Sequence, residues 1–309
     1  MTEREMPSHH GPGQLADDGT YPNETIQLLL ERGSCRSFED RDIPADVLRT
    51  VLEAGVHAAT GGNLQPYSII QIQDPATREV LAEKCGQGFI SRAPTSLMFC
   101  LDWHRLEQWA RLQVAPCTAS SSFRHFWISF QDTIICAQNI CTAADAMGLG
   151  SVYIGTVLES FDEIKEMLAL PQKVFPVVLL CLGYPKSKPV PRRKLGVDVV
   201  VHAERYRTMG DAELLEAFEQ TYPGYKIEAT AERVAQIAEV CRQVHGKAFA
   251  RACIERIEET GHITAVQRYF GLHYQANAMP LGNKEYLETM ERFGFGWFKE
   301  FELLDEEES

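Results

Sequence analysis

Two short stretches of the chain are apolar on both faces of an extended strand. They are TSLMFCL, residues 95–101, and VVLLCL, residues 177–182. A strand without a polar face needs cover on both sides, so each stretch is typical of a central strand with helices packed against it. A third strand is predicted over residues 67–73, after the turn-forming sequence TGGNLQP. These stretches predict a buried sheet.

Helical patterns surround the predicted strands. Apolar spacing, an Asp–Pro start and the sequence SFDE predict helices over residues 22–35, 44–59, from 74 onward, 123–147 and 160–170. SFDE is typical of a capping box, in which the Ser160 and Glu163 side chains bond to each other's backbone amides. Apolar residues occupy most of the circumference of 123–147, which predicts burial either at the centre of the protein or at a subunit interface.

The order of these elements indicates an α+β protein. The predicted strands lie in the first two thirds of the chain, and the sequence beyond about residue 210 is helical throughout. We expect a disordered tail over residues 1–20, because this segment is polar and rich in Gly and Pro. We expect a domain over 21–206 and a helical C-terminal extension over 207–309, which packs on that domain or on a partner subunit.

Charge and cysteine content exclude several classes of protein. The formal net charge is −13, which disfavours broad attraction to nucleic acid or to an anionic membrane surface. No segment approaches the ~18 apolar residues of a membrane span, and no signal peptide is recognisable. The nine cysteines are scattered, without a C-x-x-C pair or zinc-ligand spacing. We therefore expect a cytoplasmic protein with reduced thiols, no metal site, and no nucleic-acid or membrane partner.

Two basic clusters stand out in this acidic chain. RGSCRSF, residues 32–38, has two arginines four positions apart where an apolar helix ends, and PVPRRKL, residues 189–195, follows the strand at 177–182. Taken alone, each is explained by a solvated helix end or an exposed turn. Gly-rich turns lie between them, at 60–63 and 148–155. Arginine forks suit a phosphate, and glycine-lined backbone suits a flat ring, so the clusters and turns together indicate a site for such a ligand.

The motifs RGSCRSF, TGGNLQPYSII, QDTIICAQNICTAADAMGLGSVYIG and FPVVLLCLGYP…PRRKL, in this order, resemble the FMN-dependent nitroreductase and NAD(P)H-flavin oxidoreductase family. The resemblance covers residues 23–206. It implies a nitroreductase-like α+β fold, with a central mixed or antiparallel sheet flanked by helices and FMN bound by the domain at 21–206. It also implies a homodimer with the flavin at the subunit interface.

The resemblance further implies an oxidoreductase with ping-pong kinetics. NADPH or NADH delivers a hydride to flavin N5 and leaves, and a nitroaromatic, quinone or flavin then takes the electrons. No catalytic side chain is implied, because the flavin carries the chemistry and the protein supplies orientation and electrostatics. The family resemblance leaves the choice between NADPH and NADH and the physiological acceptor open.

The resemblance assigns individual residues to the cofactor. Arg32 and Ser34 fall at phosphate positions, and Arg36 falls where a cation reaches the ribityl chain and the N1/O2 edge of the flavin. Thr60 corresponds to a hydroxyl near the phosphate or ribityl chain, and Gln87 to an amide that contacts the pyrimidine edge. The rest of the implied cofactor-binding set is Gly33, Cys35, Tyr153, Ile154, Gly155, Thr156, Arg192, Arg193 and Lys194.

Within that set, residues 153–156 correspond to a turn in which a backbone N–H near Gly155 faces flavin N5. Arg192 and Lys194 correspond to a second pair of phosphate contacts, while the role of Arg193 stays open. Cys35 has two readings. It is a reactive thiolate activated by the flanking arginines, or a small buried residue that fills space, and the second is favoured.

Two alternatives to the reductase function stay open. The chain could be a non-catalytic FMN-binding or regulatory protein whose C-terminal extension covers the flavin or binds a partner. It could also catalyse a specialised reaction of the same family, such as dehydrogenation, dehalogenation or flavin destruction. Consumption of NAD(P)H separates the reductase from the first alternative, and the acceptor profile separates it from the second.

Overall fold

The computed structural model describes residues 21–303, and the predicted tail at 1–20 lies outside this range. The described chain divides into two compact units. Residues 21–191 and 284–303 form one, here called the sheet unit, and residues 192–283 form the other, the helical unit. Residues 192–206, which the sequence analysis includes in the first domain, thus fall in the helical unit.

The centre of the sheet unit is a four-stranded sheet with the order β1-β2-β4-β3. Its strands are β1 (Tyr67–Ile72), β2 (Thr95–Asp102), β3 (Gly150–Ile154) and β4 (Val174–Gly183). All three pairings are antiparallel. Every residue of β2 and β4 is buried, and Leu97 lies opposite Leu180 in the ladder that joins them. This confirms the prediction of two central strands covered on both faces.

Within residues 21–303, the sheet unit has seven α-helices. They are α1 (Glu24–Glu31), α2 (Ala45–Val56), α3 (Pro75–Lys84), α4 (His104–Leu112), α5 (Phe123–Ala146), α6 (Phe161–Met167) and α12 (Asn283–Arg292). The predicted start of α3 is confirmed, because the Asp74 carboxylate accepts a hydrogen bond of 2.8 Å from the Thr77 amide, and Pro75 opens the helix.

Helix α5 packs against the sheet with one face and exposes part of the other. Its buried side includes Cys136, Ala137 and Ile140, and Gly55 of α2 lies so close that a β-carbon there would be 2.2 Å from Ile140 Cγ1. Phe123, Trp127 and Ile135 are exposed, by 44–49% of their surface. The expectation of a fully central helix is therefore wrong for this face, and its burial at a subunit interface stays a prediction.

Two predicted helix features are corrected. The first helix ends at Glu31 rather than at Cys35, because residues 34 and 35 leave the helix and pair with β3. The capping box at SFDE does not form, since the Ser160 side chain makes no capping hydrogen bond. Glu163 forms an ion pair with Lys84, at 3.3 Å.

The sheet unit is completed by the C-terminal segment FGFGW, residues 293–297. Phe293, Phe295 and Trp297 are each exposed by 2% or less. The Trp297 indole stacks on the Phe295 ring at 3.7 Å and donates a hydrogen bond to the Ala119 carbonyl. Gly294 has φ +89°, and a β-carbon there would lie 2.8 Å from Gln172 Oε1, so glycine is required at the bend. The segment is thus part of the main core.

The helical unit contains α7 (Val197–Val200), α8 (Asp211–Thr221), α9 (Ala231–His245), α10 (Lys247–Thr260), α11 (Ala265–Arg268) and a π-turn (Tyr269–His273). This confirms that the chain beyond about residue 210 is mainly helical. Its small core contains Ile237, Ile257 and Ile263, and Ile263 forms an isolated antiparallel bridge with Ile227. Within residues 21–303, no helix has the length and hydropathy needed to cross a membrane.

Replacing Trp297 tests whether the C-terminal segment supports the core. We expect Trp297→Ala to lower the free energy of unfolding by ~3–5 kcal/mol, because it removes a fully buried aromatic side chain and leaves a cavity. Phe301→Ala is the matched control, since Phe301 is 54% exposed, and its effect is expected to stay within ~0.5 kcal/mol. Chemical denaturation followed by circular dichroism measures both. Equal midpoints for the two variants would contradict a structural role for the segment.

Candidate functional site

The segment RGSCRSF lies along the edge strand β3. The Cys35 amide donates a hydrogen bond of 2.9 Å to the Ser151 carbonyl, and Ser34 forms a parallel bridge with Ser151. The approach is close, because a β-carbon at Gly150 would lie 2.6 Å from Cys35 Cβ. The glycine at position 150 and the pairing with β3 therefore fix the backbone of this segment at the start of the strand.

Arg32 is held by α5 and β3. Its Nε lies 3.0 Å from Asp145 Oδ2, and its Nη2 donates to Ser151 Oγ at 3.2 Å. Burial raises the pKa of Asp145, although the adjacent guanidinium acts in the opposite direction. Arg32 Nη1 makes no hydrogen bond to another residue in the described range. The Arg32 side chain is therefore oriented, with its Nη1 group left without a partner among the described residues. A cavity of about 470 Å³ lies beside it, and Glu31 and Lys188 contribute to its lining.

Arg36 and Ser34 differ from Arg32 in their surroundings. Both are exposed. Neither side chain forms a hydrogen bond or an ion pair with another residue in the part of the chain that the structure describes. Gly33 between them and Arg32 is buried, and a β-carbon there would lie 2.8 Å from the Val190 carbonyl oxygen. The segment therefore presents a hydroxyl and a guanidinium without internal partners from a backbone that is packed in place.

A second group of predicted residues meets at the other end of β3. The Gln87 side-chain amide donates to Thr156 Oγ1 at 3.0 Å, and Thr156 Oγ1 donates to the Cys85 carbonyl at 3.0 Å. Gln87, which is predicted to contact the pyrimidine edge of the flavin, is thus hydrogen-bonded to the turn at 153–156. Ile154 is the last, buried residue of β3, and Tyr153 before it is partly buried, which raises the pKa of its phenol.

Gly155 occupies an open position in this turn. It is exposed, and a β-carbon there would meet no described heavy atom within 4 Å. Its backbone N–H also makes no hydrogen bond within residues 21–303. An unpaired N–H with free space around it can donate to a ligand that lies against the strand end. The Gly155 N–H is therefore available as a donor, and its contact with flavin N5 stays a prediction.

The loop that contains Thr60 is anchored to α5. The Gly61 amide lies 3.1 Å from both carboxylate oxygens of Asp132, whose pKa is raised by burial. Thr60 Oγ1 is buried and has no hydrogen-bond partner among the described residues. A buried hydroxyl without a partner is costly unless something absent from the chain itself satisfies it. This loop therefore provides an unused polar atom at the position predicted to contact the cofactor.

The structure favours the space-filling reading of Cys35. The side chain is 4% exposed, and its Sγ donates to the Ser37 carbonyl. Burial raises the pKa of this thiol above its ordinary value, whereas a reactive thiolate needs a lowered pKa. The neighbouring arginines do not overcome that burial.

The second basic cluster belongs to the other unit. Arg192, Arg193 and Lys194 are exposed and open the helical unit. Their joint action with Arg32 on one phosphate stays a prediction.

Two functional candidates were not identified from the sequence alone. Asp132 and Asp145 are the only acidic residues of α5, and burial raises the pKa of both. An isolated Asp in a strongly apolar helix is the signal that could have revealed them, because a buried carboxylate needs a partner. Their partners, the Gly61 amide and Arg32, are 71 and 113 residues away in the chain.

Comparison with known proteins identifies the family. A family model described as the nitroreductase family matches residues 29–184. The NADPH-flavin oxidoreductase of Vibrio harveyi is 30% identical over 226 residues, which cover 73% of this chain and 91% of that protein. The chain belongs to the nitroreductase family.

Further relatives agree with this assignment. The oxygen-insensitive NADPH nitroreductase of Salmonella typhimurium is 32% identical over 202 residues, 65% of this chain and 82% of that protein. The solved structure of NADPH:FMN oxidoreductase from Vibrio harveyi, complexed with NAD⁺, aligns with a TM-score of 0.61 and 28% identity. The alignment covers 77% of this chain and 98% of the Vibrio harveyi chain.

The comparisons confirm the predicted family, the nitroreductase-like α+β fold and the enzyme class, an oxidoreductase. The resemblance allowed either a mixed or an antiparallel sheet. The four described strands form an antiparallel sheet. The individual cofactor contacts stay predictions, and the geometry above shows which of them meet.

Proposed function

We propose that this chain is an FMN-dependent NAD(P)H oxidoreductase that reduces nitroaromatics, quinones or flavins, with the cofactor lying along β3. The observation that carries the proposal is the arrangement of two residue groups at the two ends of one strand. Arg32, Ser34 and Cys35 contact Ser151 near its start, and Gln87 bonds to Thr156 just beyond its end. Relatives named NADPH-flavin oxidoreductase and oxygen-insensitive NADPH nitroreductase support FMN and NADPH as cofactors.

The separation of the two groups suits an extended ligand. Gly155 is four positions after Ser151, and a strand rises about 3.3 Å per residue, so the span is about 13 Å. A flavin mononucleotide has its phosphate and its ring at opposite ends of the ribityl chain. In this proposal the phosphate lies near Ser34, and the ring lies against residues 153–156.

The donors of the site fit FMN. The anionic end would be held by Ser34 and the Nη1 group of Arg32, because guanidinium groups bind phosphate through paired N–H donors. Arg36 would reach the ribityl chain and the N1/O2 edge of the flavin. The unpartnered Thr60 hydroxyl would contact the phosphate or ribityl chain. The open space around Gly155 would admit a flat ring close to the backbone. Arg192 and Lys194 would add phosphate contacts, as the family resemblance implies.

When bound, FMN would supply the redox chemistry, accepting a hydride from NAD(P)H and passing the electrons to the acceptor. The residues of the chain bind the cofactor and orient it. Arg36 places a positive charge at the site and stabilises negative charge that develops on the ligand. The Gly155 N–H donates from a fixed position, because β3 is held in the sheet by β4. Asp145 orients Arg32, and Asp132 holds the loop that carries Thr60.

Subunit organisation and location belong to the same proposal. The chain forms a homodimer, in which the exposed apolar side of α5, including Phe123 and Trp127, is buried against a second copy. The protein works in the cytoplasm, where thiols stay reduced, since all nine cysteines are free.

Light scattering of the purified protein is expected to give twice the 34.8 kDa chain mass. A single-chain mass for the flavin-loaded protein would contradict the dimer.

Replacing Arg36 tests the cofactor site. We expect Arg36→Ala to weaken FMN binding about ten- to hundredfold, because a charged hydrogen bond contributes about 1.5–3 kcal/mol. Arg49→Ala is the matched control, since Arg49 pairs with Glu53 on the exposed face of α2. Titration of the apoprotein with FMN, followed by flavin fluorescence, measures both dissociation constants. Unchanged affinity in Arg36→Ala and in an Arg32→Ala/Lys194→Ala double variant would show that the basic clusters do not hold the phosphate.

Anaerobic titration tests the reaction. We expect the purified protein to show flavin absorbance that bleaches with NADPH or NADH and returns on addition of nitrofurazone, because the flavin is reduced and then reoxidised. Comparing the two nucleotides in separate cuvettes gives the donor preference. Flavin bands that persist with both nucleotides would overturn the reductase function in favour of a non-catalytic flavoprotein.

A further inference from the structure

The helical unit contains a helical hairpin with a cysteine on each arm. A single residue, Gly246, joins α9 to α10, and its φ of +87° turns the chain back. Cys241 precedes this glycine by five residues and Cys253 follows it by seven. In an antiparallel pair of helices, residues at similar distances from the turn face each other. The two thiols are therefore placed on facing arms.

The surroundings of the two thiols are shared. Both cysteines pack against the small core of Ile237, Ile257 and Ile263, and both line one apolar cavity of about 610 Å³. Gln267 Nε2 lies 3.9 Å from Cys253 Sγ. Burial is the main cause that raises the pKa of Cys241 to about 11, and the neighbouring Cys253 contributes to this rise. The Cys241 thiol is therefore neutral near neutral pH, with Cys253 beside it.

The exposure of this pair differs from that of the other cysteines. Cys35, Cys85, Cys100, Cys136, Cys141 and Cys181 are buried, and Cys117 is exposed. Cys241 and Cys253 have intermediate exposure and lie on an open cavity wall. A small oxidant can reach them there, and both thiols line the same cavity and pack against the same core. Accessibility and proximity occur together at this pair.

We propose that Cys241 and Cys253 are a modification site, a dithiol that is reversibly oxidised to a disulfide joining α9 to α10. Two S–H bonds break and one S–S bond forms. Hydrogen peroxide accepts the two electrons and two protons and leaves as two water molecules. A thiol reductant reverses the reaction by thiol–disulfide exchange. The disulfide closes a short loop through Gly246 and covalently fixes one wall of the apolar cavity.

Peptide mapping of the full-length protein tests this site without relying on flavin or activity. The reduced protein is treated with hydrogen peroxide, its remaining thiols are blocked with N-ethylmaleimide, and it is digested with trypsin without reduction. Cleavage after Arg233, Arg242, Arg251 and Arg256 places the cysteines on separate peptides, 234–242 and 252–256. We expect a linked pair, two hydrogens lighter than the sum of the free peptides, which dithiothreitol separates.

Three variants identify the sulfur atoms involved. Cys241→Ser and Cys253→Ser are each expected to abolish the linked peptide, whereas Cys117→Ser is expected to leave it unchanged, because Cys117 lies in the other unit. The wild-type map decides the question even if a serine variant does not fold. Recovery of both peptides in their maleimide-labelled or individually overoxidised forms after peroxide treatment would overturn the proposal. A disulfide from either cysteine to Cys117 of another molecule would overturn it as well.

Discussion

The candidate site depends on the pairing of β2 with β4. Both strands are buried along their whole length, so they can only lie at the centre of the sheet, and their ladder fixes the position of everything beside it. β4 holds β3 on its other side, which makes β3 an edge strand with unpaired backbone groups. The RGSCRSF segment takes up part of that edge through the bond from the Cys35 amide to Ser151. The basic cluster is therefore positioned by backbone pairing, while its Ser34 and Arg36 side chains are left to face outward.

The partly buried charge pair Arg32–Asp145 is the second constraint on the site. Moving a carboxylate out of water is unfavourable, and the raised pKa of Asp145 reflects that cost despite the guanidinium 3.0 Å away. A pair of this kind adds little to stability compared with apolar packing, but it specifies geometry, because either partner alone would be an uncompensated charge. Here it links the end of α1 to α5 and, through Ser151, to β3. Arg32 is therefore held by internal partners at the candidate site, whereas Arg36 is free of internal partners within the described range.

The predictions that the structure confirms came from patterns within short stretches of sequence. The doubly apolar stretches at 95–101 and 177–182 and the Asp74–Pro75 helix start each depend on adjacent residues, and the structure has each of them. The failures came from distant partners. Residues 32–35 were predicted to be helical, but residues 34 and 35 pair with β3 at Ser151. The predicted capping box at residues 160–163 does not form, and Glu163 forms an ion pair with Lys84. The partners of Asp132 and Asp145, and the packing of Trp297 on Phe295 and against Ala119, likewise connect segments whose proximity only the folded chain creates.

The distribution of thiols separates the two units chemically. In the sheet unit, Cys35, Cys85, Cys100, Cys136, Cys141 and Cys181 are buried, which shields these thiols from oxidants, while Cys117 is exposed. That arrangement suits a unit in which redox chemistry is proposed for a bound cofactor, because side chains that reacted with oxidants would damage the core around it. The helical unit carries its two cysteines on a single hairpin with a cavity beside them. A bond between them would change that hairpin while leaving the β2–β4 ladder and the buried thiols around it intact.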